Sequence, residues 1–363
     1  MSRHALILAG GSGTRLWPYS TQQRPKQLVP MLGGRSLLEL AVERARRALP
    51  DDAVWLGTGS QLAVALPPGL AGVRADRIVV EPTARDTLAA VAFGCGVIAQ
   101  RDPDAVIAVL TADHIIEPVA DFAATLDAAF ALAERHEDAI VTMGVVPDHA
   151  ATGFGYLQLG DAYDGTARRV DRFTEKPEAP AAAEFVAAGP DKFLWNSGMF
   201  VWRASTLLKA VEHFHPDAAA SLATLTASYG SDAFDQVADQ HWDLLPKTSV
   251  DYGLMEPASV SESFDVVALP LTARWLDVGS WSAFGEAVGV DSAGNGVSGM
   301  ALMQSSEGCV VANEVPDHVV ALVDCKDLVV VHTPRATLVV PAQRAQEVKA
   351  LQARVKAELP GHA

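Results

Sequence analysis

The sequence predicts an α/β protein with a mostly parallel sheet, followed by a smaller β-rich unit. Short apolar runs that are typical of buried strands alternate with longer helical stretches in the first half of the chain. A glycine-rich loop follows the first of these runs, at the edge where ligands bind in parallel α/β sheets. Beyond about residue 285 the pattern changes to four short β-rich runs separated by turn residues, at residues 309–312, 318–323, 328–332 and 336–340.

The alternation of strands and helices is clearest up to residue 143. Apolar runs bounded by turn residues predict strands at residues 5–8, 53–57, 78–80, 106–110 and 139–143. Helices are predicted after a capping-box pattern at Ser36 and Glu39, and over residues 87–99 and 122–135. Such alternation favours a sheet that is covered by helices on both faces.

Composition narrows the function classes. The chain has 363 residues, of which 49% are hydrophobic and 20% charged, so a large core is expected. A net charge of −16 argues against a nucleic-acid surface, and no apolar run is long enough for a membrane helix. Three scattered cysteines indicate neither a disulfide framework nor a zinc site. We therefore expect a cytoplasmic protein that binds neither nucleic acid nor membrane.

The stretch Leu8-Ala9-Gly10-Gly11-Ser12-Gly13-Thr14-Arg15 is the best candidate for phosphate binding. Glycine allows positive φ and brings backbone N–H groups close to an anion. Arg15 and Lys26 add two cations. The glycines alone would equally suit a tight turn between a strand and a helix. The stretch fits neither the Walker A pattern nor the dinucleotide fingerprint.

This chain closely resembles the sugar-nucleotide pyrophosphorylases in two stretches that form their signature. These are the segment from Leu8 to Pro18 and the segment Arg24-Pro25-Lys26-Gln27. These nucleotidyltransferases join a nucleoside triphosphate to a sugar 1-phosphate. The Leu16-Trp17-Pro18 ending resembles the mannose-1-phosphate guanylyltransferase branch in particular. The resemblance implies a Rossmann-like nucleotidyltransferase domain over residues 1–285. It also implies a small C-terminal left-handed β-helix domain with a terminal helix over residues 286–363.

A second family motif, Glu81 to Thr87, follows the predicted strand at residues 78–80. The resemblance implies that Glu81, Pro82 and Arg85 bind the nucleotide. Asp86 stands where the family commonly has asparagine. Its carboxylate could accept hydrogen bonds from the N1–H and N2–H₂ groups of guanine, or cap the helix that begins at Thr87. The residues alone leave both interpretations open.

Asp113 follows the strand at residues 106–110 and is expected in the same crevice as the glycine loop. A turn cap would explain an aspartate here, but beside a phosphate loop it suits a Mg²⁺ ligand better. The resemblance implies that Asp113 and Asp277, of Asp277-Val278-Gly279-Ser280-Trp281, hold one Mg²⁺ or another divalent cation, and that Asp113 borders the nucleotide. His114 is interpreted as structural.

Residues beyond 150 are expected to bind the acceptor. Glu175 and Lys176 would read as a solvated pair in isolation. By resemblance, Lys176 contacts the phosphate of the sugar 1-phosphate and Glu175 binds sugar hydroxyls. The motifs that contain Gly155, Asn196 and Asp251 also match the family, and these residues are expected in the sugar-phosphate site.

The reaction that the resemblance implies is GTP plus α-D-mannose 1-phosphate giving GDP-mannose and diphosphate, with Arg15, Lys26 and Lys176 as catalytic cations. A sister enzyme that joins glucose 1-phosphate to dTTP or UTP is the first alternative. A sugar-nucleotide-sensing subunit without catalysis is the second. The family further implies a homodimer. The region after 285 carries no predicted chemistry and is too short for a fused isomerase domain, so isomerase activity is not expected.

Overall fold

The computed structural model describes residues 1–11, 13–21, 23–67, 69 and 72–362. Its first part alternates strands and helices as predicted. The elements up to residue 288 are, in chain order, β1 (Arg3–Ala9), β2 (Pro30–Leu32), β3 (Arg35–Ser36), α1 (Leu37–Ala45), β4 (Val54–Gly59), α2 (Ser60–Ala65), β5 (Ile78–Glu81), α3 (Asp86–Arg101), β6 (Val106–Thr111), β7 (His114–Glu117), α4 (Val119–Arg135), β8 (Ala139–Val145), β9 (Tyr156–Ala162), β10 (Arg168–Thr174), α5 (Ala179–Ala188), β11 (Phe193–Arg203), α6 (Ala204–Phe214), α7 (Pro216–Ser228), α8 (Phe234–His241), α9 (Glu256–Ser259), β12 (Asp265–Pro270), β13 (Arg274–Asp277) and α10 (Trp281–Val288).

A nine-stranded sheet with the order β5-β4-β1-β6-β11-β8-β12-β10-β9 forms the centre of this part. Strands β5, β4, β1 and β6 run parallel, as do β8 and β12, while β11 is antiparallel to its neighbours. Leu6 and Ile7 are adjacent in β1 but lie in hydrophobic clusters on opposite faces. Both faces are therefore buried, as in a parallel sheet between helices. This confirms the predicted Rossmann-like fold.

Each strand and helix predicted between residues 5 and 143 is present, with ends that differ by a few residues. The capping box is formed as expected, because Ser36 Oγ accepts from the Glu39 N–H and the Glu39 carboxylate accepts from the Ser36 N–H. The sequence did not predict β7 and β13, which pair antiparallel and place Asp277 opposite His114. Both strands have only four residues, so their periodicity gives little signal.

The C-terminal part is a β-helix followed by a helix. Its elements are β14 (Gly296–Ser298), β15 (Ala301–Gln304), β16 (Val310–Asn313), β17 (Val320–Val323), β18 (Leu328–His332), β19 (Thr337–Pro341) and α11 (Val348–Glu358). Strands β14, β16 and β18 stack in parallel to form one wall, and β15 and β17 form another. β19 closes the first wall by pairing antiparallel with β18. Four of these strands match predicted runs, whereas β14 and β15 were not predicted.

The β-helix packs directly against the chain that follows the glycine loop. One hydrophobic cluster joins Leu16 and Trp17 to Trp281 of α10 and to Val310 and Val329 of the β-helix. The Trp17 indole N–H also donates to the His362 carbonyl at 3.0 Å. The expected boundary between residues 285 and 286 thus falls inside α10, a helix that belongs to this shared core. No helix among the described residues combines the length and the apolar character needed to span a bilayer.

Candidate active site

Three predicted site segments begin where parallel strands end. Gly10 follows β1, Pro82 follows β5, and Asp113 lies two residues beyond β6. The carboxyl ends of these strands form one edge of the sheet, where ligands bind in open α/β folds. Leu8 and Ala9 are the last residues of β1, and Thr14 and Arg15 open a 3₁₀ turn beyond the loop. The predicted loop residue Ser12 lies outside the described residues.

The glycine loop is fastened through its carbonyl groups. Ser20 Oγ donates to the Gly13 carbonyl at 2.6 Å, and the Gln27 side-chain amide donates to the Gly10 carbonyl. Gly13 has φ of +57°, and a Cβ there would lie 2.7 Å from Lys26 Cβ. A larger residue at position 13 would therefore be strained and would collide with Lys26. The loop and Lys26 form one packed unit.

Lys26 and Asp113 form an ion pair with 2.7 Å between Nζ and Oδ2. Lys26 is buried, and the Asp113 side chain is 28% exposed. Burial alone would raise the pKa of Asp113, but the Lys26 ammonium outweighs it and lowers the pKa to about 2. Asp113 is therefore ionised across the physiological range.

Asp277 approaches Asp113 through the pairing of β13 with β7. The Val278 N–H donates to the Asp113 carbonyl at 3.2 Å, which holds the two segments together. Asp277 Oδ1 is buried and has no hydrogen-bond partner among the described residues. Candidate ligand atoms of Asp113, His114 and Asp277 lie within 4.8 Å of one another. Two carboxylates, one with an unpartnered buried oxygen, fit the donor set of a hard divalent cation.

His114, interpreted as structural from the sequence, belongs to this group. Its Nδ1 lies 3.1 Å from Trp275 Nε1 and 2.5 Å from Thr111 Oγ1. Its Nε2 lies 3.6 Å from Asp113 Oδ1. Burial lowers the pKa of His114, although the Asp113 and Asp277 carboxylates oppose the shift. His114 is therefore a neutral imidazole beside two carboxylates. We refer to Lys26, Asp113, His114 and Asp277 as the phosphate-side cluster.

Arg44 of α1 supports the loop that carries Asp113. Its guanidinium is buried and donates to the His114 carbonyl at 3.0 Å and to the Thr111 carbonyl at 3.3 Å. Burial lowers the pKa of Arg44 to about 10, so the group stays charged at neutral pH. Sequence reasoning missed this residue because an arginine in an amphipathic helix ordinarily indicates the solvated face.

The segment after β5 is held by Arg85. Its guanidinium donates to the Leu245 carbonyl at 2.7 and 2.9 Å and to Asp243 Oδ1 at 2.6 Å. These contacts anchor the loop, and the predicted contact of Arg85 with the nucleotide stays a prediction. Burial raises the pKa of Glu81, the last residue of β5, to about 7. Pro82, next in the chain, is partly exposed.

Asp86 is the first residue of α3, and the helix-cap interpretation stays a prediction. Asp86 is exposed, has φ of +65°, and its Oδ1 accepts from the Thr87 N–H at 2.8 Å. This bond joins adjacent residues, whereas a helix cap accepts from an N–H two or three residues further on. Aspartate and asparagine are the non-glycine residues that best tolerate this backbone region. The interaction with guanine stays a prediction.

The five residues predicted for the sugar phosphate lie together, although they come from four separate segments. Lys176 Nζ lies 2.5 Å from Glu175 Oε1, and the Asn196 amide donates to Asp251 Oδ1 at 2.9 Å. A Cβ on Gly155 would lie 2.6 Å from Glu175 Oε2, so any other residue at position 155 would displace the Glu175 carboxylate. We refer to Gly155, Glu175, Lys176, Asn196 and Asp251 as the sugar-side cluster.

In the sugar-side cluster the pKa values of Asp251 and Lys176 are both raised, and the charged groups differ in exposure. Burial, with the nearby Glu175 carboxylate, raises the pKa of Asp251 to about 7. Burial would lower the pKa of Lys176, but its contact with Glu175 prevails and raises the pKa. The Glu175 side chain is 5% exposed and Lys176 is 54% exposed, so the ammonium is the outward-facing group. Such a cluster can offer both hydrogen bonds and a positive charge to a ligand.

Strand β11 joins the two clusters. Its register against β8 shifts between Asn196 and Phe200, and this bulge includes Gly198 with φ of +70°. A Cβ on Gly198 would lie 3.7 Å from Thr111 Cγ2, at the end of β6. Asn196 therefore belongs to the sugar-side cluster while Gly198 borders the phosphate side. The bulge in β11 therefore brings the sugar-side cluster close to the end of β6, which precedes Asp113.

Comparisons with known proteins identify the family of the chain. Residues 4–292 match the Nucleotidyl transferase family model, and residues 299–354 match that of the MannoseP isomerase/GMP-like beta-helix domain. The chain is 35% identical to mannose-1-phosphate guanylyltransferase of Klebsiella pneumoniae, over 95% of this chain and 72% of that protein. It is 32% identical to the enzyme of that name from Escherichia coli K12, over 98% of this chain and 74% of that protein.

A solved structure supports the same relationship. The crystal structure described as mannose-1-phosphate geranyltransferase from Thermus thermophilus has a TM-score of 0.85 and 30% identity. It covers 98% of this chain and 100% of that one, so the similarity includes both the sheet and the β-helix. By sequence and by structure, the chain belongs to the nucleotidyl transferase family.

Proposed function

We propose that this chain is a mannose-1-phosphate guanylyltransferase, which converts GTP and α-D-mannose 1-phosphate into GDP-mannose and diphosphate. The observation that carries the proposal is that strand β11 brings a cluster with a phosphate-type cation site near a cluster of polar groups suited to a sugar phosphate. Relatives of that name, similar over nearly the whole chain, support the choice of base and sugar.

The proposed step is an in-line displacement at the α-phosphorus of GTP. An oxygen of the sugar phosphate forms the new P–O bond, and the bond to the β-phosphate bridging oxygen breaks, so that diphosphate leaves with the electron pair. The attacking oxygen is already anionic at neutral pH, and a general base is therefore unnecessary. Catalysis then depends on holding two polyanions together and neutralising their charge.

This task would fall to the cations of the proposed site. Arg15 and the amides of the glycine loop are proposed to hold the triphosphate, while Lys26 neutralises charge that develops at the reacting phosphates. Lys176, the outward-facing cation of the sugar-side cluster, is proposed to bind the phosphate of the acceptor. The buried Asn196 and the nearby Glu175 and Asp251 would hydrogen-bond sugar hydroxyls.

Asp113 and Asp277 are proposed to hold Mg²⁺ or another divalent cation. The ionised state of Asp113 and the unpartnered buried oxygen of Asp277 support this role. When bound, such a cation neutralises phosphate charge and orients the phosphate oxygens. A homodimer, a cytoplasmic location and the division into residues 1–285 and 286–363 are also proposals, which rest on the family resemblance.

Diphosphate release tests the proposal directly. GTP, ATP, UTP and dTTP are each combined with mannose 1-phosphate or glucose 1-phosphate in the presence of Mg²⁺. Release with GTP and mannose 1-phosphate alone is the expected result. Preference for another pair would identify a sister nucleotidyltransferase. Tight nucleotide-sugar binding without release would instead identify a sensing subunit.

A further inference from the structure

His114 stands between the carboxylates of the candidate metal site and the indole of Trp275. By composition the site has two aspartates and one histidine, and an imidazole nitrogen within 4.8 Å of both carboxylates would ordinarily count as a third ligand. Whether His114 can act as a ligand depends on which of its nitrogens carries the hydrogen.

The Trp275 contact decides this question. An indole nitrogen only donates, so at 3.1 Å the Trp275 N–H must donate to the lone pair of His114 Nδ1. The Thr111 hydroxyl, 2.5 Å from the same nitrogen, then also acts as a donor. The hydrogen of the neutral imidazole must therefore lie on Nε2, the nitrogen 3.6 Å from Asp113 Oδ1.

A protonated nitrogen has no lone pair to give to a cation. The single lone pair of Nδ1 faces the Trp275 N–H, and Nε2 carries the hydrogen and lies on the side of Asp113. To bind a metal through Nε2, the imidazole would have to move its hydrogen to Nδ1 and give up the hydrogen bond from Trp275. Oxygen donors suit Mg²⁺ and Mn²⁺, whereas an added imidazole nitrogen suits Zn²⁺ and Co²⁺.

We propose that Trp275 is a metal-specificity residue: its indole N–H fixes the tautomer of His114, keeps that imidazole out of the coordination sphere and leaves an oxygen-only site. His114 is a positioning residue in this arrangement. The inference rests on the proposed role of Asp113 and Asp277 as cation ligands. It adds that a single hydrogen bond, given by a residue outside the cluster, selects the class of cation.

The tautomer is tested first, on the protein without added metal. Long-range ¹H–¹⁵N correlation spectra of the ¹⁵N-labelled chain distinguish the two neutral forms, and a His114→Asn variant assigns the signal among the ten histidines. The Nε2–H form is expected at neutral pH, before and after addition of Mg²⁺. An Nδ1–H form would overturn the proposal.

The metal preference is tested by calorimetry with Mg²⁺, Mn²⁺, Co²⁺ and Zn²⁺ alone. Trp275→Phe frees Nδ1 to take the hydrogen and exposes a lone pair on Nε2. We expect the affinity for Zn²⁺ and Co²⁺ to rise relative to Mg²⁺ by about tenfold or more, the scale of changes around metal ligands. An unchanged ratio would contradict the proposal.

Two controls isolate the hydrogen bond. Trp195→Phe makes the same substitution at a buried indole whose N–H has no partner among the described residues, and its metal preference should match the wild type. His114→Asn alone should leave the ratio of Zn²⁺ to Mg²⁺ affinity unchanged, and in the Trp275→Phe background it should abolish the gain. A large loss of Zn²⁺ affinity in His114→Asn alone would show that His114 is already a ligand.

These readouts are separable from the proposed function. The tautomer and the relative metal affinities are measured without substrates, and diphosphate release is measured with them. A wild-type protein with the Nε2–H tautomer and the expected metal preference, but no diphosphate release, would refute the proposed function and leave the inference standing. An active enzyme that lacks that tautomer would refute the inference alone.

Discussion

The phosphate-side and sugar-side clusters each place a carboxyl group near a lysine, yet the pKa values of the two carboxyl groups shift in opposite directions. Lys26 contacts Asp113 directly, and the pKa of that carboxyl falls to about 2. In the other cluster Lys176 contacts Glu175, and burial together with the Glu175 carboxylate raises the pKa of Asp251 to about 7. Asp113 is therefore an anion that suits a divalent cation. Asp251 is a carboxyl group that suits hydrogen bonds with sugar hydroxyls.

The largest effect is expected from removing the anion of the phosphate side. Asp113→Asn keeps the size of the side chain but loses the charge, and kcat should fall about 10³-fold. Lys26 would lose its ion-pair partner while buried, so we also expect a loss of about 1–3 kcal/mol in unfolding free energy. Steady-state kinetics and chemical denaturation measure both. Asp232→Asn, at an exposed aspartate, should change neither; near-normal turnover in Asp113→Asn would remove Asp113 from the mechanism.

Lys26→Met removes the cation of the same pair. We expect kcat to fall about 10²-fold, because charge at the reacting phosphates loses its neutralising group. The NMR-monitored pKa of Asp113 should also rise, since burial then dominates the environment of the carboxyl. Lys349→Met, at an exposed lysine of α11, serves as the matched control. Full activity in Lys26→Met would mean that Lys26 serves only the fold.

On the sugar side, Lys176→Gln should affect binding of the acceptor. We expect the KM for mannose 1-phosphate to rise about 10- to 100-fold, the value of one charged hydrogen bond, with a smaller change in the KM for GTP. Because the side chain is 54% exposed, the melting temperature should stay the same. Lys192→Gln, at an exposed lysine nearby in sequence, is the control. Equal changes in both KM values would argue against a specific acceptor contact.

The contrast in pKa predicts opposite dependence on pH. For Asp251 the folded-state pKa of about 7 exceeds the ordinary value of 3.8. Between pH values of about 4 and 7 the folded protein therefore binds more protons than the unfolded chain. Its contribution to stability is present below about pH 4 and is lost as the pH rises through 7. The Asp251→Asn variant has no carboxyl group to ionise and does not lose stability in this way. Its melting temperature relative to that of the wild type should therefore rise from about pH 4 to pH 8. A gap that does not change with pH would show that Asp251 has an ordinary pKa.

The smallest effect is expected at the junction with the β-helix. Glu314 pairs with Arg24, whose Nη2 lies 3.0 Å from Glu314 Oε2, and Arg24 stands two residues before Lys26. Glu314→Gln should lower kcat/KM for GTP only a few-fold, since the shared hydrophobic core remains. Glu347→Gln removes an exposed carboxylate that pairs within its own helical turn and should have no effect. A drop as large as that of Lys26→Met would make the pair part of the catalytic machinery.

Much of the fold was predictable, because short apolar runs between turn residues indicate strands β1, β4, β5, β6 and β8. The edge that carries Gly10, Pro82 and Asp113 follows from the rule for parallel strands. The sugar-side cluster did not follow from spacing. Its members lie between residues 155 and 251, and only family resemblance brought them into one prediction.

What the sequence could not predict depends on contacts between distant segments. Trp275 and His114 are 161 residues apart, and the short strands that align them lack periodicity. Arg44 looks like a surface residue until α1 packs against the loop after β6. Arg85 is a plausible phosphate ligand by charge, yet its donors are used by backbone carbonyls near residue 245, which no local pattern reveals.

The hydrogen bond from Trp17 to the His362 carbonyl has a consequence for biosynthesis. A ribosome releases the glycine loop early, but the β-helix and the residues around 362 that complete its packing emerge about 345 residues later. The sheet can form on the nascent chain while the wall behind the loop is still missing. The packing behind the glycine loop is therefore completed late in translation, after the residues of the α/β part have emerged.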